Sequence, residues 1–248
     1  MGTLTGRTAL VTGSSRGIGR GIARRLARDG ARVAVHYGEN AKAAEETAAS
    51  IEADGGSSFV IGAQLGVDGD AERLFAEFDK QADCLDILVN NAGMGLFSLI
   101  DKVTPEEFQK VVAVNVQAPF FLAKEALKRL RDGGRIINIS SCVTRVAFPE
   151  FIAYSLTKGA INTFTLTLAK GVADRGITVN AVAPGFVDTD MPAEVLSNPE
   201  VFAQATGMSA FNRLGQVEDI AGIVAFIASD DARWITGQII DATGGLHL

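Results

Sequence analysis

The sequence predicts an α/β fold, a doubly wound parallel sheet of about seven strands with helices on both faces. Three observations predict it. Short β-branched runs alternate with longer stretches of helical periodicity along the whole chain, a glycine-rich turn joins the first strand to the first helix, and no repeat or linker-like tract interrupts the alternation. Parallel neighbours require crossover connections, and right-handed crossovers put helices on both faces of the sheet. The 248 residues suffice for one core, so 1–248 reads as one domain, with about 185–214 as its long irregular insertion, a lid.

The elements follow in order. ThrAlaLeuVal (8–11) reads as a buried strand, and 17–28 as a helix with Ile18, Ile22, Ala23 and Leu26 on one face. Next come a strand at 32–36, an alanine-rich helix over about 41–53, a strand near 59–61, a helix near 70–78 and a strand at 87–90. Thr104 as N-cap and Pro105 at the first helical position open a helical stretch that runs with breaks toward Arg131, where Asp132, Gly133 and Gly134 stop it. A strand at 135–139, a long helix over about 154–173, a strand at 177–183, a helix around 217–228 and a last strand near 238–241 complete the pattern.

Composition excludes several classes. Apolar residues make up 47% and charged residues 21%, with 27 Gly and 6 Pro, which argues against collagen-like, low-complexity and disordered chains. A net charge of −6 removes the global phosphate attraction on which nucleic-acid binding rests. No apolar run is long enough to span a bilayer and the first residues lack a signal-peptide pattern, so neither membrane nor nucleic acid is expected as a partner, and the expected compartment is the cytoplasm. Cys84 and Cys142 lack CxxC spacing, and His36 and His247 are not arranged as ligands. Neither a disulfide nor a metal is expected.

Thr12-Gly13-Ser14-Ser15-Arg16-Gly17-Ile18-Gly19 sits between the first strand and first helix. Glycines let the backbone approach a pyrophosphate, whose charge suits the free N–H groups of a helix N-terminus. The spacing, GxxxGxG, differs from the GxGxxG dinucleotide fingerprint, and a plain tight turn is the competing reading. Gly13, Ser15 and Gly17 also satisfy the GxSxG elbow of hydrolases. That reading wants a histidine base, and His36 comes too early while His247 is one residue from the C-terminus, so an esterase is disfavoured. The second strand ends Val35-His36-Tyr37-Gly38 without the acid that would hold a ribose 2′-hydroxyl. With Arg16 as a matching cation, charge favours NADP(H) over NAD(H), the latter remaining a secondary cofactor; a solvated Arg16 is the alternative.

Only two tyrosines occur, and Tyr154-Ser155-Leu156-Thr157-Lys158 puts a lysine on the same helical face as the second. Moving a phenol from near 10 to about 7 needs roughly 4 kcal/mol of differential stabilisation, and Lys158, aided by an oxidised nicotinamide, has the required sign. A surface tyrosine beside a solvated lysine is the bland alternative.

These motifs together resemble the short-chain dehydrogenase/reductase family over essentially the whole chain, and are similar in particular to its branch of bacterial 3-oxoacyl-acyl-carrier-protein reductases. TGSSRGIG (12–19) matches the phosphate loop, NNAG (90–93) the motif after the fourth strand, AVNV the helix asparagine, Ser141 the serine 13 residues before the tyrosine, YSLTK (154–158) the YxxxK and PGFVDT (184–189) the nicotinamide-side motif. The resemblance implies a Rossmann-type sheet, a homotetramer and a catalytic tetrad of Asn115, Ser141, Tyr154 and Lys158. Tyr154 would exchange the proton as hydride moves between nicotinamide and a carbonyl or secondary alcohol, Ser141 would hold the substrate oxygen, and Lys158 would hold the nicotinamide ribose. Asn115 would anchor a proton-relaying water. Ser140 is the rival hydroxyl. Cofactor contacts are implied for Gly13, Ser15, Arg16, Gly17, Ile18, Gly19, His36, Tyr37, Gln64, Leu65, Asn91, Ala92, Gly93, Tyr154, Lys158, Pro184, Gly185, Val187 and Thr189. Gln64 departs from the family's usual aspartate at the adenine, though an amide oxygen still accepts that hydrogen bond.

Val143, Phe148, Phe151, Phe186, Met191, Met208 and Phe211 are candidates for an apolar substrate pocket, with lid core as the alternative. Arg145 reads as solvated or paired with Glu150, and Cys142 as a buried packing residue. Phe120, Phe121, Phe164 and Leu168 either pair subunits or face the sheet. Arg129, Arg131 and Arg175 leave an acyl carrier as a less favoured partner, scattered solvated arginines being commoner. A carrier-linked 3-oxoacyl reductase and a non-catalytic nucleotide sensor are the alternative functions.

Overall fold

A computed structural model describes residues 2–189 and 199–247. Its strands are β1 (Thr8–Val11), β2 (Arg32–Tyr37), β3 (Ser57–Gly62), β4 (Leu85–Asn90), β5 (Leu130–Ile139), β6 (Thr178–Pro184) and β7 (Ile239–Ala242). The helices are α1 (Gly17–Arg28), α2 (Ala41–Ala53), α3 (Asp70–Phe78), α4 (Pro105–Val112), α5 (Ala118–Ala126), α6 (Ile152–Gly171), α7 (Pro199–Gly207) and α8 (Val217–Ala228). All seven strands join one parallel sheet in the order β3-β2-β1-β4-β5-β6-β7. The chain winds outward from β1 to β3, then returns to β4 and proceeds the other way. The crevice between the C-terminal ends of β1 and β4 is therefore the topological switch point, where open α/β sheets bind ligands.

Strand periodicity sorts the core into two layers. Ala9, Val11, Val33, Val35, Ile87 and Val89 pack against Ile22 and Leu26 of α1 and Ile220, Val224 and Ile227 of α8. Leu10, Ala34, Leu88 and Ile136 point to the other face and meet Leu74, Phe75 and Phe78 of α3 and Leu122 of α5. Successive side chains alternate faces, so each four- to six-residue apolar run supplies both layers, as sheets covered on both sides require.

Two boundaries differ from expectation. The helical stretch expected to reach Arg131 ends at Ala126, and β5 already begins at Leu130, which pairs with Leu85. The register then shifts so that Ile87 meets Arg135, and Asp132-Gly133-Gly134 forms a bulge within the strand. The expected break between α4 and α5 is one π-helical turn, Ala113–Gln117, with Asn115 inside it. The N-terminus of α4 matches expectation: Thr104 accepts from Glu107 N–H, and Glu107 returns the bond to Thr104 N–H.

The tightest joint is α1 on α8. A Cβ built at Gly21 would lie 2.0 Å from Cγ1 of Val217, a stiff β-branched side chain. Gly21→Ala should therefore lower stability by about 1–3 kcal/mol, read as a fall in denaturation midpoint, and Val217→Ala in the same chain should recover most of it.

Candidate functional site

The loop between β1 and α1 is built from the β-sheet outward. Thr12 is buried, and its hydroxyl oxygen accepts from Asn91 N–H and Ala92 N–H at 3.0 Å each. Asn91 Nδ2 donates back to the carbonyls of Thr12 and Gly13 at 2.8 and 3.1 Å, which ties the TGSSRGIG and NNAG segments together across the switch point. Gly13 has φ +62°, and a Cβ there would sit 2.9 Å from Ala92 Cα. A Cβ at Gly19 would sit 2.3 Å from the Gly13 carbonyl oxygen, so α1 reaches the loop only with glycine at both positions. Arg16, exposed and extended, gives α1 no side-chain cap, and its first turn holds no acid. The leading N–H groups and helix dipole therefore face the crevice, the donor set that suits a phosphate.

Sequence reasoning missed the brace beneath this loop. Arg20 donates from NH2 and Nε to the Ser15 carbonyl at 2.6 and 3.1 Å, and Thr47 of α2 donates to the same oxygen at 3.2 Å. Nothing in the spacing of Thr47 signals this. Thr189 lies against the loop from the opposite side, its Cβ and methyl 3.8 Å from where a Gly17 Cβ would stand. Val187 joins the α1/α8 layer and pairs with Gly215. Ile18 is half-buried against the same layer, and Pro184 and Gly185 close the end of β6.

His36 and Leu65 stand differently from the expected cofactor contacts. His36 is buried: Nδ1 accepts from Gly13 N–H at 2.9 Å, which fixes the proton on Nε2, and Nε2 donates to the Ala63 carbonyl at 2.9 Å. Burial pushes the imidazole down to about 4, so it is neutral at pH 7. Its ring thus backs the phosphate loop instead of facing ligand. Leu65 is buried among the α3-side apolar residues. Tyr37, its ring over Gly62, and the exposed Gln64, whose Oε1 approaches Gly38, remain at the strand ends.

The four tetrad candidates converge at the C-terminal end of β5. Ser140 turns away, donating from Oγ to Asn162 Oδ1 at 2.6 Å, whereas the Ser141 hydroxyl accepts from Val143 N–H at 3.4 Å and favours the ionised form of Tyr154. Lys158 is buried, donates to the Ile139 carbonyl at 2.8 Å, and has its Nζ 5.5 Å from the Tyr154 ring centroid. Asn115 is held by Met94, accepting from its N–H and donating to its carbonyl at 2.9 Å each. Gly93 closes over them, its missing Cβ 3.3 Å from Asn115 Oδ1 and 3.7 Å from Lys158 Nζ.

In the chain alone the electrostatics run the other way. Burial pushes the Tyr154 phenol up to about 12, against the opposing hydrogen bond from Ser141, and pushes the Lys158 ammonium down to about 8. The chain by itself thus favours the neutral phenol, because desolvation outweighs the opposing influence of Ser141. A positive charge brought to the crevice acts against that desolvation.

An aromatic wall leads to Tyr154. Phe151 packs 6.2 Å from its ring, Phe148 lies 6.0 Å from Phe151, Phe186 lies 5.9 Å from Phe148, and Phe97, which sequence reasoning missed, meets Phe151 edge-on at 5.1 Å. Phe97 is 71% exposed, on the segment after NNAG, and Ser98 N–H ties that segment to the Glu150 carbonyl at 2.7 Å. Val143 and Met208 are half-buried and Phe211 is exposed; Met191 falls outside the described residues. Arg145 does not pair with Glu150: it binds Asp241 at 2.8 Å and the Leu246 carbonyl at 2.7 Å, because its segment packs on the C-terminal residues.

Cys142 is buried and its thiol is pushed up by burial, which suits packing. Arg129 chelates Asp79, Arg131 pairs with Asp86 and Arg175 with Asp132, so none of the three is simply solvated. Phe120 and Phe121 are half-exposed and stack edge-on, while Phe164 and Leu168 lean on the sheet-side core. Among the described residues no helix is long and apolar enough to cross a membrane, and no cluster of His, Cys, Asp and Glu has metal-binding geometry.

Residues 13–247 match the family described as enoyl-(acyl carrier protein) reductase. Versicolorin reductase 1 of Aspergillus parasiticus is 43% identical over 98% of this chain and 97% of its own. Among solved structures, the promiscuous reductase LugOII, which catalyses keto-reduction at C1 during lugdunomycin biosynthesis, superposes with a TM-score of 0.94 and 52% identity, covering 99% of this chain and 100% of that one. The angucycline C-6 ketoreductase LanV with bound NADP superposes with a TM-score of 0.94 and 49% identity over 98% of this chain and 96% of its own.

The buried histidine has a measurable signature. Its native value, about 4, lies below the ordinary 6.5, so the unfolded chain binds a proton that the native chain refuses. Stability from this group is complete above pH 6.5 and drains as pH falls toward 4. Replacing it in His36→Gln should make the loss of unfolding free energy between pH 7 and pH 5 smaller by about 2 kcal/mol than in wild type, measured by urea titration.

Proposed function

The chain belongs to the short-chain dehydrogenase/reductase family of NAD(P)-dependent oxidoreductases, and we propose that it reduces a ketone on a flat aromatic, polyketide-like substrate, preferring NADP(H). One observation carries the substrate reading: the proton donor candidate Tyr154 stands at the end of a wall formed by Phe151, Phe148, Phe186 and Phe97. Aromatic edges and faces at these separations favour a planar ring system over an aliphatic chain. The named relatives are a versicolorin reductase and ketoreductases of lugdunomycin and angucycline type, which supports a ketone as substrate.

The crevice fits the cofactor. The glycine loop and α1 N-terminus would hold the pyrophosphate, Arg16 with the acid-free end of β2 suits a 2′-phosphate, and the loops after β4, β5 and β6 would line the nicotinamide. The LanV relative carries NADP, which supports the same preference. Bound NADPH supplies a hydride to the carbonyl carbon. Tyr154 gives its phenolic proton to the carbonyl oxygen, so ketone, hydride and proton make the secondary alcohol. Ser141, which acts on the Tyr154 phenol electrostatically, would donate to that oxygen and orient it. Lys158 would hold the ribose and return a proton toward the phenol, and Asn115 fixes the backbone of the loop that covers both.

The same reading takes 1–248 as one catalytic unit with a lid at about 185–214, working in the cytoplasm as a homotetramer. Phe120 and Phe121 support the assembly, being aromatic and half-exposed on α5. A carrier-linked 3-oxoacyl reductase gains less support, since Arg129, Arg131 and Arg175 are committed to carboxylates.

A spectrophotometric screen tests this, with NADPH and NADH offered against small aliphatic ketones, 1-tetralone, 2-tetralone, hydroxynaphthoquinones and a 3-oxoacyl thioester. The bicyclic ketones should show the highest kcat/KM, and NADPH should outperform NADH. Tyr154→Phe should bind NADPH normally and lose about two to four orders of magnitude in kcat. A preference for the thioester, equal use of NADH, or an active Tyr154→Phe enzyme contradicts the corresponding part of the reading.

A further inference from the structure

Thr157 stands between the two reacting side chains in sequence and joins the third member of the tetrad to them in space. Its side chain is buried. The hydroxyl donates to the carbonyl of Tyr154, three residues back, at 2.7 Å, and accepts from Asn115 Nδ2 at 3.1 Å. A carboxamide nitrogen has two N–H donors, and here Met94 takes one and Thr157 the other, while Oδ1 accepts from Met94 N–H. Flipping the amide would replace these three bonds with mismatched pairs. Asn115 itself sits in the π-helical turn between α4 and α5, an irregularity that interrupts regular helix bonding and recurs at functional sites. That turn brings the amide within reach of α6.

We propose that Thr157 is a positioning residue whose hydroxyl locks the π-turn onto the turn of α6 that carries Tyr154 and Lys158. The inference rests on the tetrad reading above. Thr157 touches no reacting atom: it acts through the orientation of the Asn115 amide, and through it on the Met94 backbone beside Gly93, which covers Lys158. Valine has nearly the shape of threonine and lacks the hydroxyl, so Thr157→Val removes the link while filling the same space. Serine keeps the hydroxyl.

The experiment measures kcat, KM and NADPH dissociation for Thr157→Val, Thr157→Ser, Asn115→Ala and the Asn115→Ala/Thr157→Val double variant, using the fastest ketone of the screen. Thr157→Val should lower kcat about tenfold, the equivalent of one hydrogen bond in the transition state, with NADPH dissociation unchanged. Thr157→Ser should restore kcat to within about twofold. The double variant should be no slower than Asn115→Ala, because a hydroxyl that acts through the amide has nothing left to act on. Thr157→Val within about twofold of wild type, or a double variant whose loss is the product of the two single losses, overturns the proposal. Tyr154→Phe run beside them separates the readings. If it retains turnover, the tetrad reading fails; if it is inactive while Thr157→Val runs at full speed, only the role of Thr157 fails.

Discussion

Desolvation of a buried amine and a half-buried phenol one helical turn apart is the constraint around which this molecule is organised. Lys158 and Tyr154 share a face of α6, and desolvation opposes the charged form of each, lowering the ammonium to about 8 and raising the phenol to about 12. The amine is held by the carbonyl of Ile139, the last residue of β5. A strand end and a helix face thereby fix the pair at the sheet edge. The free chain holds its phenol protonated and its amine still mostly charged at pH 7, a resting state poised to give up a proton once further positive charge enters the crevice.

The rest of the edge keeps that pair in place. Thr12, Asn91 and His36 form a buried polar lattice in which each donor meets an acceptor, linking the ends of β1, β2, β3 and β4. Buried polar groups of this kind are costly unless paired, so their completeness makes the loop rigid before any ligand arrives. A pyrophosphate and a nicotinamide held at fixed points along one rigid edge need little reorganisation at the moment of transfer. The aromatic wall, by contrast, is partly open: Phe97 is largely exposed, on a segment anchored at Met94 by Asn115 and at Ser98 by Glu150.

Much of this was legible in the residues alone. Strand and helix order followed from periodicity because both sheet faces are covered and each apolar run is short, and the α4 start followed from Thr104 and Pro105. The Tyr154–Lys158 pair and the glycine loop were legible because they sit at fixed local spacings, whereas Asn115 and Ser141 entered only through the family resemblance. Long-range partners were not. Thr47 and Arg20 bracing Ser15, Arg145 reaching Asp241, and Asn115 meeting Thr157 join residues from 5 to about 100 positions apart, which no local pattern encodes. The inward turn of His36 also escaped, because a strand end looks the same in sequence whether its ring faces ligand or loop. The upward push on Tyr154 in the chain alone also escaped, because spacing reveals the cation but conceals the desolvation.

The central claim is that a half-buried phenol, neutral in the free chain, becomes titratable when positive charge docks beside it. Ultraviolet difference titration tests it directly, since the chain has only two tyrosines and Tyr37→Phe leaves Tyr154 as the sole signal. In the free protein the phenolate band should rise only near pH 12, and saturating NADP⁺ should move that midpoint down by several units. A midpoint that stays put when NADP⁺ binds would contradict the account.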